Sequence, residues 1–332
     1  MKWEIDTLSA KLKTTWKIAG AEVKQKQIFL VKFTNGKYEG LGEVSYSSKE
    51  EISRASLEAD LDTFSYAYKD ANVSQFSDLT RLLDGLEFEV EQLRFAIEAA
   101  FLDYLSEATE ISKWRILGTN TISSIQSMAS IGLFSSTAEG EKLLAENAQS
   151  NILKVKISKE TFNEQVDFIN SCDKKIVLDA NESWGSDLDS FVESIKKLDL
   201  TKILLVEQPF GRYNVQEHQK LKELGLIQVF LDESIADHKH LNAFLDICDG
   251  VVLKSAKSKS IPRILSQLTQ ARNLGLKTML GCMVESSVGI ASLFSVAYGF
   301  DYYDFDGFTK IEVDKYDRVF WDNGKVVLSG MN

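Results

Sequence analysis

The stretch that decides the fold is ILKVKIS at residues 152–158, an apolar run that carries Lys154 and Lys156. Four later runs share this design, and each closes on a charged residue: KIVLDAN on Asp179, ILLVEQP on Glu207, VFLDES on Asp232 and GVVLKS on Lys254. Counted from Lys156, the charged residues follow at intervals of 23, 28, 25 and 22 residues. A parallel strand, its crossover helix and two short loops need about that length. Such residues would converge on one end of a parallel barrel, so the spacing predicts a functional site there.

The segment from 119 to 309 reads as alternating strands and helices. Besides the five runs, it contains a candidate first barrel strand, IQSMASIGL (125–133), and two more strand ends, at Glu285 in TMLGCMVES (278–286) and at Asp304 and Asp306 in YYDFDGF (302–308). Near-continuous apolar strands followed by helices are typical of a parallel sheet covered on its outside. We therefore predict an α/β protein whose residues 119–309 form a TIM-type (β/α) barrel of about eight strands.

Residues 1–118 follow a different pattern. The alternating runs at 27–33 and 38–44 flank the turn Thr34-Asn35-Gly36-Lys37, which predicts a hairpin. Apolar residues recur at helical spacing in VEQLRFAIEAAFLDYLSE (90–107). The tail 310–332 returns to alternation around Asp322-Asn323-Gly324, and we expect it to pair with the N-terminal region. The sequence thus predicts an α+β capping domain of residues 1–118, completed by 310–332.

Composition excludes several classes of protein. The 332-residue chain is 44% hydrophobic and 26% charged, as in soluble globular proteins. Its net charge of −11 argues against nucleic acid or an anionic membrane as a partner. The N-terminus has no apolar signal segment, and no run of 18 apolar residues occurs. Three cysteines and three histidines lack metal-site spacing. We expect a cytoplasmic protein with a small-molecule substrate, and leave homo-oligomerisation open.

Three carboxylates stand on consecutive strand ends: Asp179, Glu207 and Asp232. Hard oxygen ligands without nitrogen or sulfur favour Mg²⁺, so we predict one Mg²⁺ per subunit. A single strand-end aspartate often serves only as a helix cap or loop anchor. Three carboxylates at the same point of successive strand–helix repeats, with lysines at the equivalent point of the flanking repeats, weigh against that alternative.

The lysines predict proton transfer. Lys154 and Lys156 lie two residues apart on one strand, so both face the same side. Ammonium groups inside a barrel are costly unless they have a function or a partner. We expect nearby positive charge to lower their pKa, which would suit a general base. Lys254 lies across the ring from Lys156. Two bases with a metal between them suit proton removal from one face of a substrate and return to the other.

These motifs resemble the muconate-lactonising subgroup of the enolase superfamily. The resemblance rests on the KxK of 154–156, DAN (179–181), VEQP (206–209), DES (232–234) and Lys254, with similar capping-domain segments in GLGE (40–43) and FAIEAAFLDYLSE (95–107). It implies Lys156 and Lys254 as acid–base catalysts on an ene-diolate, metal at Asp179, Glu207 and Asp232, and substrate contacts from Lys154 and Ser130. One departure is KSKSI (257–261), where members often carry Gly-Gly. We expect Lys257 and Lys259 there to be solvated.

The DxD of Asp304 and Asp306 resembles that of dipeptide epimerases, in which it holds the substrate ammonium, and GCMVESS (281–287) adds Met283 and Glu285 to the expected substrate contacts. The resemblance implies epimerisation of L-Ala-D/L-Glu or related L-Ala-L-Xaa dipeptides. Loop capping by the two aspartates remains an alternative. So do o-succinylbenzoate synthase and N-acylamino acid racemase activities, which need no ammonium receptor. The loop 16–23, where a side-chain-reading arginine is expected for an acidic second residue, contains none.

Overall fold

The computed structural model describes residues 1–18, 21–47, 50–235 and 240–330, with the side chains of 16–18 and 21–23 outside the description. The strands are β1 (Lys2–Ile18), β2 (Ala21–Thr34), β3 (Glu39–Glu43), β4 (Ser124–Gln126), β5 (Ala129–Ile131), β6 (Ile152–Lys156), β7 (Lys175–Asp179), β8 (Ile203–Glu207), β9 (Val229–Leu231), β10 (Gly250–Lys254), β11 (Lys277–Gly281), β12 (Tyr302–Asp304), β13 (Val319–Asp322) and β14 (Lys325–Leu328). The helices are α1 (Arg54–Asp70), α2 (Phe76–Asp84), α3 (Leu93–Thr109), α4 (Lys113–Leu117), α5 (Thr137–Glu146), α6 (Phe162–Ser171), α7 (Leu188–Ile195), α8 (Val215–Leu224), α9 (Ser255–Ser258), α10 (Ile261–Asn273) and α11 (Ser287–Phe294). Among the helices in these ranges, none has the length and apolar content to cross a bilayer.

The N-terminal region forms an antiparallel sheet in the order β1-β2-β3. The predicted hairpin is confirmed, because Thr34 pairs with Glu39 across the turn. Asn35 Oδ1 accepts hydrogen bonds from the Lys37 and Tyr38 amides, at 3.0 and 2.9 Å. Gly36 has a φ of +90°, a backbone conformation that glycine adopts without strain.

Helix α3 packs directly on β3 of this sheet. A side chain built at Gly40 would collide with the backbone oxygen of Ala100, and one at Gly42 with that of Ala96. Glycine is therefore required at both positions for the close approach of helix and strand. Most of α3 is buried, including Ile97 and Phe101, which explains why its apolar residues surround the whole helix.

Strands β5 to β12 form one parallel sheet in sequence order, which confirms the predicted barrel. The Met128 amide donates to the Tyr303 carbonyl at 3.0 Å and joins the first strand region to the last. Apolar side chains from the successive strands β7 to β11, and from the residue before β5, pack together inside the ring: Met128, Val177, Leu205, Phe230, Val252 and Met279. This apolar layer leaves the carboxyl ends of the strands for polar residues.

The C-terminal tail differs from expectation in its pairing. Strands β13 and β14 form the hairpin predicted around Asn323 and Gly324, but β14 pairs with β4 and not with the N-terminal sheet. The predicted first barrel strand is divided: Ala129–Ile131 pairs with β6 in the barrel, whereas Ile125 and Gln126 pair with the tail. An isolated bridge between Leu12 and Ile311 connects the tail to β1. The domain bounds 1–118 and 119–309 stay predictions.

Candidate active site

Three buried carboxylates lie together at the carboxyl end of the barrel. Asp179 and Glu207 are the last residues of β7 and β8 and pair directly with each other in the sheet register. Asp232 follows β9 by one residue. The exposed fractions of the three residues are 1%, 0% and 3%. The sheet therefore brings together the carboxylates that the sequence predicted. The prediction used the rule that charged residues at the ends of parallel strands meet at one end of a barrel, which we call the strand-end rule.

The lysines lie among these carboxylates. Lys154 Nζ is 2.8 Å from Glu207 Oε2 and 3.3 Å from Asp179 Oδ2. Lys156 Nζ is 2.7 Å from Asp179 Oδ2, and Lys254 Nζ is 3.2 Å from Asp232 Oδ2. The strands of Lys156 and Lys254, β6 and β10, are four positions apart in the eight-stranded sheet. The two ammonium groups consequently approach the carboxylates from opposite sides of the ring.

The carboxylates of the site oppose the lowering of the pKa that was expected for Lys154, and they act on Lys254 in the same direction. Burial alone would lower the pKa of Lys154, but Asp179, Asp304 and Glu207 outweigh it and raise that pKa well above its ordinary value. Burial likewise opposes the charge of Lys254, yet Asp232 and Glu207 raise its pKa. The sequence argument counted the cations of the site and gave too little weight to its carboxylates.

The pKa values of the three carboxylates shift in two directions. Burial would raise the pKa of Asp179, but Lys154 and Lys156 hold it well below its ordinary value. The same balance, with Lys254 as the main cation, holds the pKa of Asp232 below its ordinary value. For Glu207, burial prevails and raises the pKa to about 7. Of the three carboxylates, Glu207 is therefore the one whose negative charge is least offset by neighbouring cations.

The donor set fits a hard divalent cation. Both oxygens of Glu207 and Oδ1 of Asp232 are buried and receive no aligned hydrogen bond, although lysine ammonium groups lie near them. Buried carboxylate oxygens in this condition are costly, and a metal ion is one way to satisfy them. In the described parts of the chain, no three acidic, histidine or cysteine side chains are already gathered at metal-binding distance, and ammonium groups lie between these carboxylates. Oxygen ligands of this kind are those that Mg²⁺ prefers.

Residues one or two positions after the carboxylates adopt left-handed backbone conformations. Asn181 and Gln208 have φ values of +41° and +42°. Asn181 Oδ1 accepts a hydrogen bond from Lys156 Nζ at 2.6 Å. Gln208 Oε1 accepts from the amides of Asp232 and Ser234, at 2.9 and 3.1 Å. These strained residues fix the Lys156 ammonium and tie the end of β8 to Asp232, as is common at functional sites.

The DxD aspartates turn towards the first barrel strand. Asp304 ends β12, and its Oδ1 accepts from Ser130 Oγ at 3.2 Å while its Oδ2 lies 2.9 Å from Lys154 Nζ. Asp306 Oδ2 accepts from the Ser130 amide at 2.6 Å and lies 2.8 Å from Lys310 Nζ. The structure therefore brings Ser130, Asp304 and Asp306 together: both carboxylates contact Ser130 of β5, and Asp306 also pairs with Lys310 in the turn that follows it.

A cavity of about 450 Å³ opens above these groups. Of the predicted site residues, its walls include Ser130, Lys154, Lys156, Asp179, Asp232, Lys254, Met283, Asp304 and Asp306. Glu207 lies beneath the cavity surface. Glu285 is absent from the walls, and its Oε1 accepts from Ser45 Oγ at 2.6 Å and from the Met283 amide at 2.8 Å. Its carboxylate faces the N-terminal region, a position that does not fit direct contact with a substrate in this cavity.

Two lysines expected on the solvated surface belong to the site. Lys257 Nζ lies 2.6 Å from Asp232 Oδ1 with its side chain 15% exposed, because the single turn of α9 folds it back over the carboxylates. Lys259 lines the cavity rim and forms an ion pair with Glu91 of the N-terminal region. Its φ of +60° is one that glycine adopts more easily. The backbone thus keeps a glycine-like conformation where the sequence lacks the Gly-Gly pair.

Other cavity residues carried no clear sequence signal. Arg212 and Glu182 form a loop pair at 3.6 Å, and Lys310 reaches the site from a 3-10 turn. Only the number of residues that separates each of them from the preceding strand end could have indicated that they belong to the site. The side chains of the loop 16–23, where the sequence placed substrate selection, lie outside the described residues.

Comparison with known proteins identifies the family of the chain. Residues 138–321 match the family described as enolase C-terminal domain-like, and the chain therefore belongs to this family of the enolase superfamily. It is 27% identical over 271 residues to an L-Ala-D/L-Glu epimerase of Bacteroides thetaiotaomicron, covering 79% of this chain and 70% of that protein. It is 28% identical to a hydrophobic dipeptide epimerase of Flavobacteria bacterium, covering 66% and 65%. These relatives are epimerases, so the predicted isomerase class is confirmed.

Solved structures confirm the predicted barrel with a capping domain. An enolase family member from Agrobacterium tumefaciens, with homology to dipeptide epimerases and with sodium and L-Ala-L-Glu bound, superposes with a TM-score of 0.85 at 20% identity, covering 98% of this chain and 97% of that one. A dipeptide epimerase from Enterococcus faecalis, complexed with Mg and L-Leu-L-Tyr, gives a TM-score of 0.83 at 20% identity, covering 98% and 96%. At this identity the likeness establishes the fold.

Proposed function

We propose that this protein is a Mg²⁺-dependent dipeptide epimerase that inverts the α-carbon of the C-terminal residue. The observation that carries the proposal is the placement of Lys156 and Lys254 on strands four positions apart, with three carboxylates between them. One lysine on each face of a bound substrate provides both halves of a 1,1-proton transfer. The curated relatives, which epimerise L-Ala-D/L-Glu and hydrophobic dipeptides, support the same reaction.

Asp179, Glu207 and Asp232 would hold the metal, one per subunit. Their support for this role is burial, hard oxygen chemistry and the lack of aligned hydrogen bonds to both oxygens of Glu207 and to Oδ1 of Asp232. When bound, Mg²⁺ supplies Lewis-acid stabilisation of negative charge on a substrate carboxylate. Gln208 keeps Asp232 in place through its amide.

Lys156 and Lys254 exchange the α-proton. Lys156 is oriented by Asp179 and Asn181, and Lys254 by Asp232. One of them removes the proton from one face of the α-carbon, and the other returns a proton to the opposite face. Proton transfer by a positioned side chain contributes roughly 10²–10⁴-fold, so electrostatic stabilisation of the ene-diolate must supply much of the rest. Lys154, beside Glu207 and Asp304, assists by hydrogen bonding to the substrate carboxylate.

Asp304 and Asp306 select the substrate class. Both are buried, with 5% and 4% exposure, and both border the cavity. Paired carboxylates suit an α-ammonium group, which a dipeptide has and an N-acylated amino acid lacks. L-Ala-D/L-Glu and related L-Ala-L-Xaa dipeptides are therefore the first candidates. The absence of nucleic-acid and membrane partners belongs to this proposal and rests on the net charge of −11. A cytoplasmic location also belongs to it and is supported by three cysteines that suit reduced thiols.

The test is deuterium incorporation in D₂O with Mg²⁺, followed by mass spectrometry, across L-Ala-L-Xaa dipeptides and their N-acylated counterparts. We expect exchange at the C-terminal α-carbon of free dipeptides and its loss on N-acylation. Exchange with N-acylated substrates alone would contradict the proposal and make the protein an N-acylamino acid racemase. The Asp304→Asn variant is the matched probe, because it should weaken use of free dipeptides far more than use of N-acylated ones.

A further inference from the structure

One buried carboxylate of the N-terminal region contacts the barrel beside the site. Glu98 lies in α3 and is 0% exposed. Its Oε2 accepts a hydrogen bond from the Ile261 amide at 2.6 Å, and its Oε1 accepts from Ser260 Oγ at 3.1 Å. Its charge is paired with Arg94, whose Nε donates to Oε1 at 2.9 Å. A buried carboxylate is costly unless it is paired and hydrogen-bonded, and Glu98 meets both conditions where α3 reaches α10.

Glu98 caps α10 from a distant part of the chain. The first amides of a helix have no partner inside the helix, and the side chain of the residue before the helix often accepts from one of them. Ser260 is in that position, but its side chain makes no capping bond to the helix. The second helical residue is Pro262, which has no amide hydrogen. The Ile261 amide therefore has its acceptor in α3, and the start of α10 is tied to the N-terminal region.

The chain between β10 and α10 forms one side of the cavity. Lys254 ends β10, and the cavity wall continues along α9 to Lys259. The single turn of α9 closes with a hydrogen bond from the Lys259 amide to the Ser255 carbonyl at 2.8 Å. The stretch is fixed at its start by the pairing of Lys254 with Gly281 in the sheet. Glu98 fixes its end, so this wall is held between the barrel sheet and the N-terminal region.

The position of the Lys254 ammonium depends on this wall. Its side chain passes over Gly281, where an added Cβ would lie 2.8 Å from Lys254 Cε. One turn later, Lys257 Nζ lies 2.6 Å from Asp232 Oδ1, and Lys254 Nζ lies 3.2 Å from Oδ2 of the same carboxylate. A shift of α9 would change how the two ammonium groups share Asp232. Lys156 stands across the ring on β6, and its hydrogen-bond partners belong to the end of β7.

We propose that Glu98 is a positioning residue that acts through α9 on Lys254 and leaves Lys156 unaffected. The proposal rests on the proposed function, because it needs Lys254 and Lys156 to serve opposite faces of the substrate α-carbon. Loss of the hydrogen bonds between Glu98 and α10 releases the end of α9 and displaces the Lys254 ammonium. Proton transfer on the face that Lys254 serves then slows, while proton transfer on the other face continues.

The experiment measures deuterium uptake in D₂O with Mg²⁺, starting separately from the pure L,L and L,D epimers of one dipeptide. Uptake with retained configuration in each epimer reports on one lysine, and the ratio of the two rates is the quantity compared. We expect Glu98→Gln to shift this ratio by on the order of tenfold against the Lys254 face, since a small displacement of a reacting group is costly. The amide cannot accept from both Arg94 and the Ile261 amide, because only one of its two ends is an oxygen.

Two further variants calibrate the ratio. Gly281→Ala places a methyl group against Lys254 Cε and should shift the ratio in the same direction as Glu98→Gln. Asp103→Asn changes a partly buried carboxylate of the same helix, which accepts from the Leu41 amide at 3.1 Å and pairs with Lys113. It should leave the ratio unchanged, because these partners belong to β3 and α4.

A ratio that Glu98→Gln leaves at the wild-type value overturns the role of Glu98, and so does an equal shift in Asp103→Asn. A ratio that Gly281→Ala leaves unchanged overturns the assignment of Lys254 to one face, and the proposal with it. A wild type that exchanges the α-proton of no free dipeptide overturns the proposed function itself. If Glu98→Gln does not fold, Ser260→Ala decides, because it removes one hydrogen bond of Glu98 from the barrel side. A smaller shift in the same direction then supports the proposal, and an unchanged ratio overturns it.

Discussion

A buried pair of carboxylates beneath the site should make the protein less stable as pH rises, and Glu285→Gln should remove much of this effect. Glu43 and Glu285 are 1% exposed, and both border the space beside Gly289. Lys26 lies close to both and donates to the Tyr46 and Val284 carbonyls, at 2.8 Å each. Burial, and then the charge of Glu285, raise the pKa of Glu43 from 4.5 to about 8. Burial also raises the pKa of Glu285.

The direction in which stability changes with pH follows from whether the folded or the unfolded state holds the proton. A carboxyl whose folded pKa is raised holds its proton in the folded state after the unfolded chain has lost it. Its contribution to stability is complete below pH 4.5 and is lost as pH rises to about 8. The loss is roughly 1.4 kcal/mol per pH unit for each such proton. Two carboxylates on the order of 5 Å apart at an effective dielectric constant of about 20 repel by about 3 kcal/mol.

Glu285→Gln suits the local geometry. Glu285 Oε1 already accepts from Ser45 and Met283, so an amide oxygen can keep both bonds. Oε2 is buried without a hydrogen-bond partner, and an amide NH₂ in its place could donate to Glu43. The substitution removes one charge and creates a donor at the same point. The nearby positive charge of Lys26 then still favours the ionised form of Glu43.

Thermal unfolding at a fixed scan rate between pH 5 and pH 9 measures the effect. We expect equal Tm values for wild type and Glu285→Gln at pH 5, and a variant more stable by about 3 kcal/mol at pH 8.5. For a chain of this length that free energy corresponds to roughly 4 °C in Tm. Glu87→Gln, at an exposed position, is the control and should not show the trend. A variant less stable than the wild type at pH 8.5, or a difference that does not change with pH, would refute the reasoning.

Further tests address the reaction, the metal and the fold. Lys254→Ala should abolish epimerisation and keep α-proton exchange in one epimer of a substrate; exchange in both epimers, or in neither, contradicts the two-lysine assignment. Mg²⁺ at a hundredfold excess over its Kd should stabilise the wild type by about 2.7 kcal/mol, and Asp232→Asn should reduce the accompanying rise in Tm; equal rises in both proteins would argue against Asp232 as a ligand. Gly42→Ala should destabilise by about 1–3 kcal/mol because its methyl group meets the backbone of α3. Gly85→Ala, at a position where a methyl group makes an ordinary contact at 3.5 Å, is its control in the same melts.

The sequence predicted the barrel because its signal repeats. Each barrel strand is a short apolar run, and the interval between successive runs is set by the length of one helix and two loops. The pairing of Asp179 with Glu207 at the ends of β7 and β8 followed from that rule alone. The use of β4 by the tail could not be predicted in this way, because IQSMASIGL is one continuous pattern in the sequence. Its division depends on the partners that each half meets.

The sequence also did not predict which lysines neutralise the carboxylates of the site. Lys257 and Lys310 lie away from strand ends, on short turns whose direction the pattern does not reveal. Their ammonium groups nonetheless lie 2.6 Å from Asp232 Oδ1 and 2.8 Å from Asp306 Oδ2. A lysine side chain is long enough to reach such partners from many backbone positions, so its presence in a loop says little about its location.

The strand-end rule applies only to residues whose side-chain direction is set by the strand to which they belong or which they directly follow. Asp179, Glu207 and Lys254 are the last residues of their strands, and Asp232 is one residue beyond its strand. All four border or underlie the cavity, since alternation along a strand still fixes which way they point. Glu285 lies four residues beyond the end of β11, where that alternation no longer applies, and it faces Ser45 instead. A charged residue near a strand end is therefore a strong candidate for a barrel site within about two residues of the strand, and further out its direction depends on the neighbouring domain.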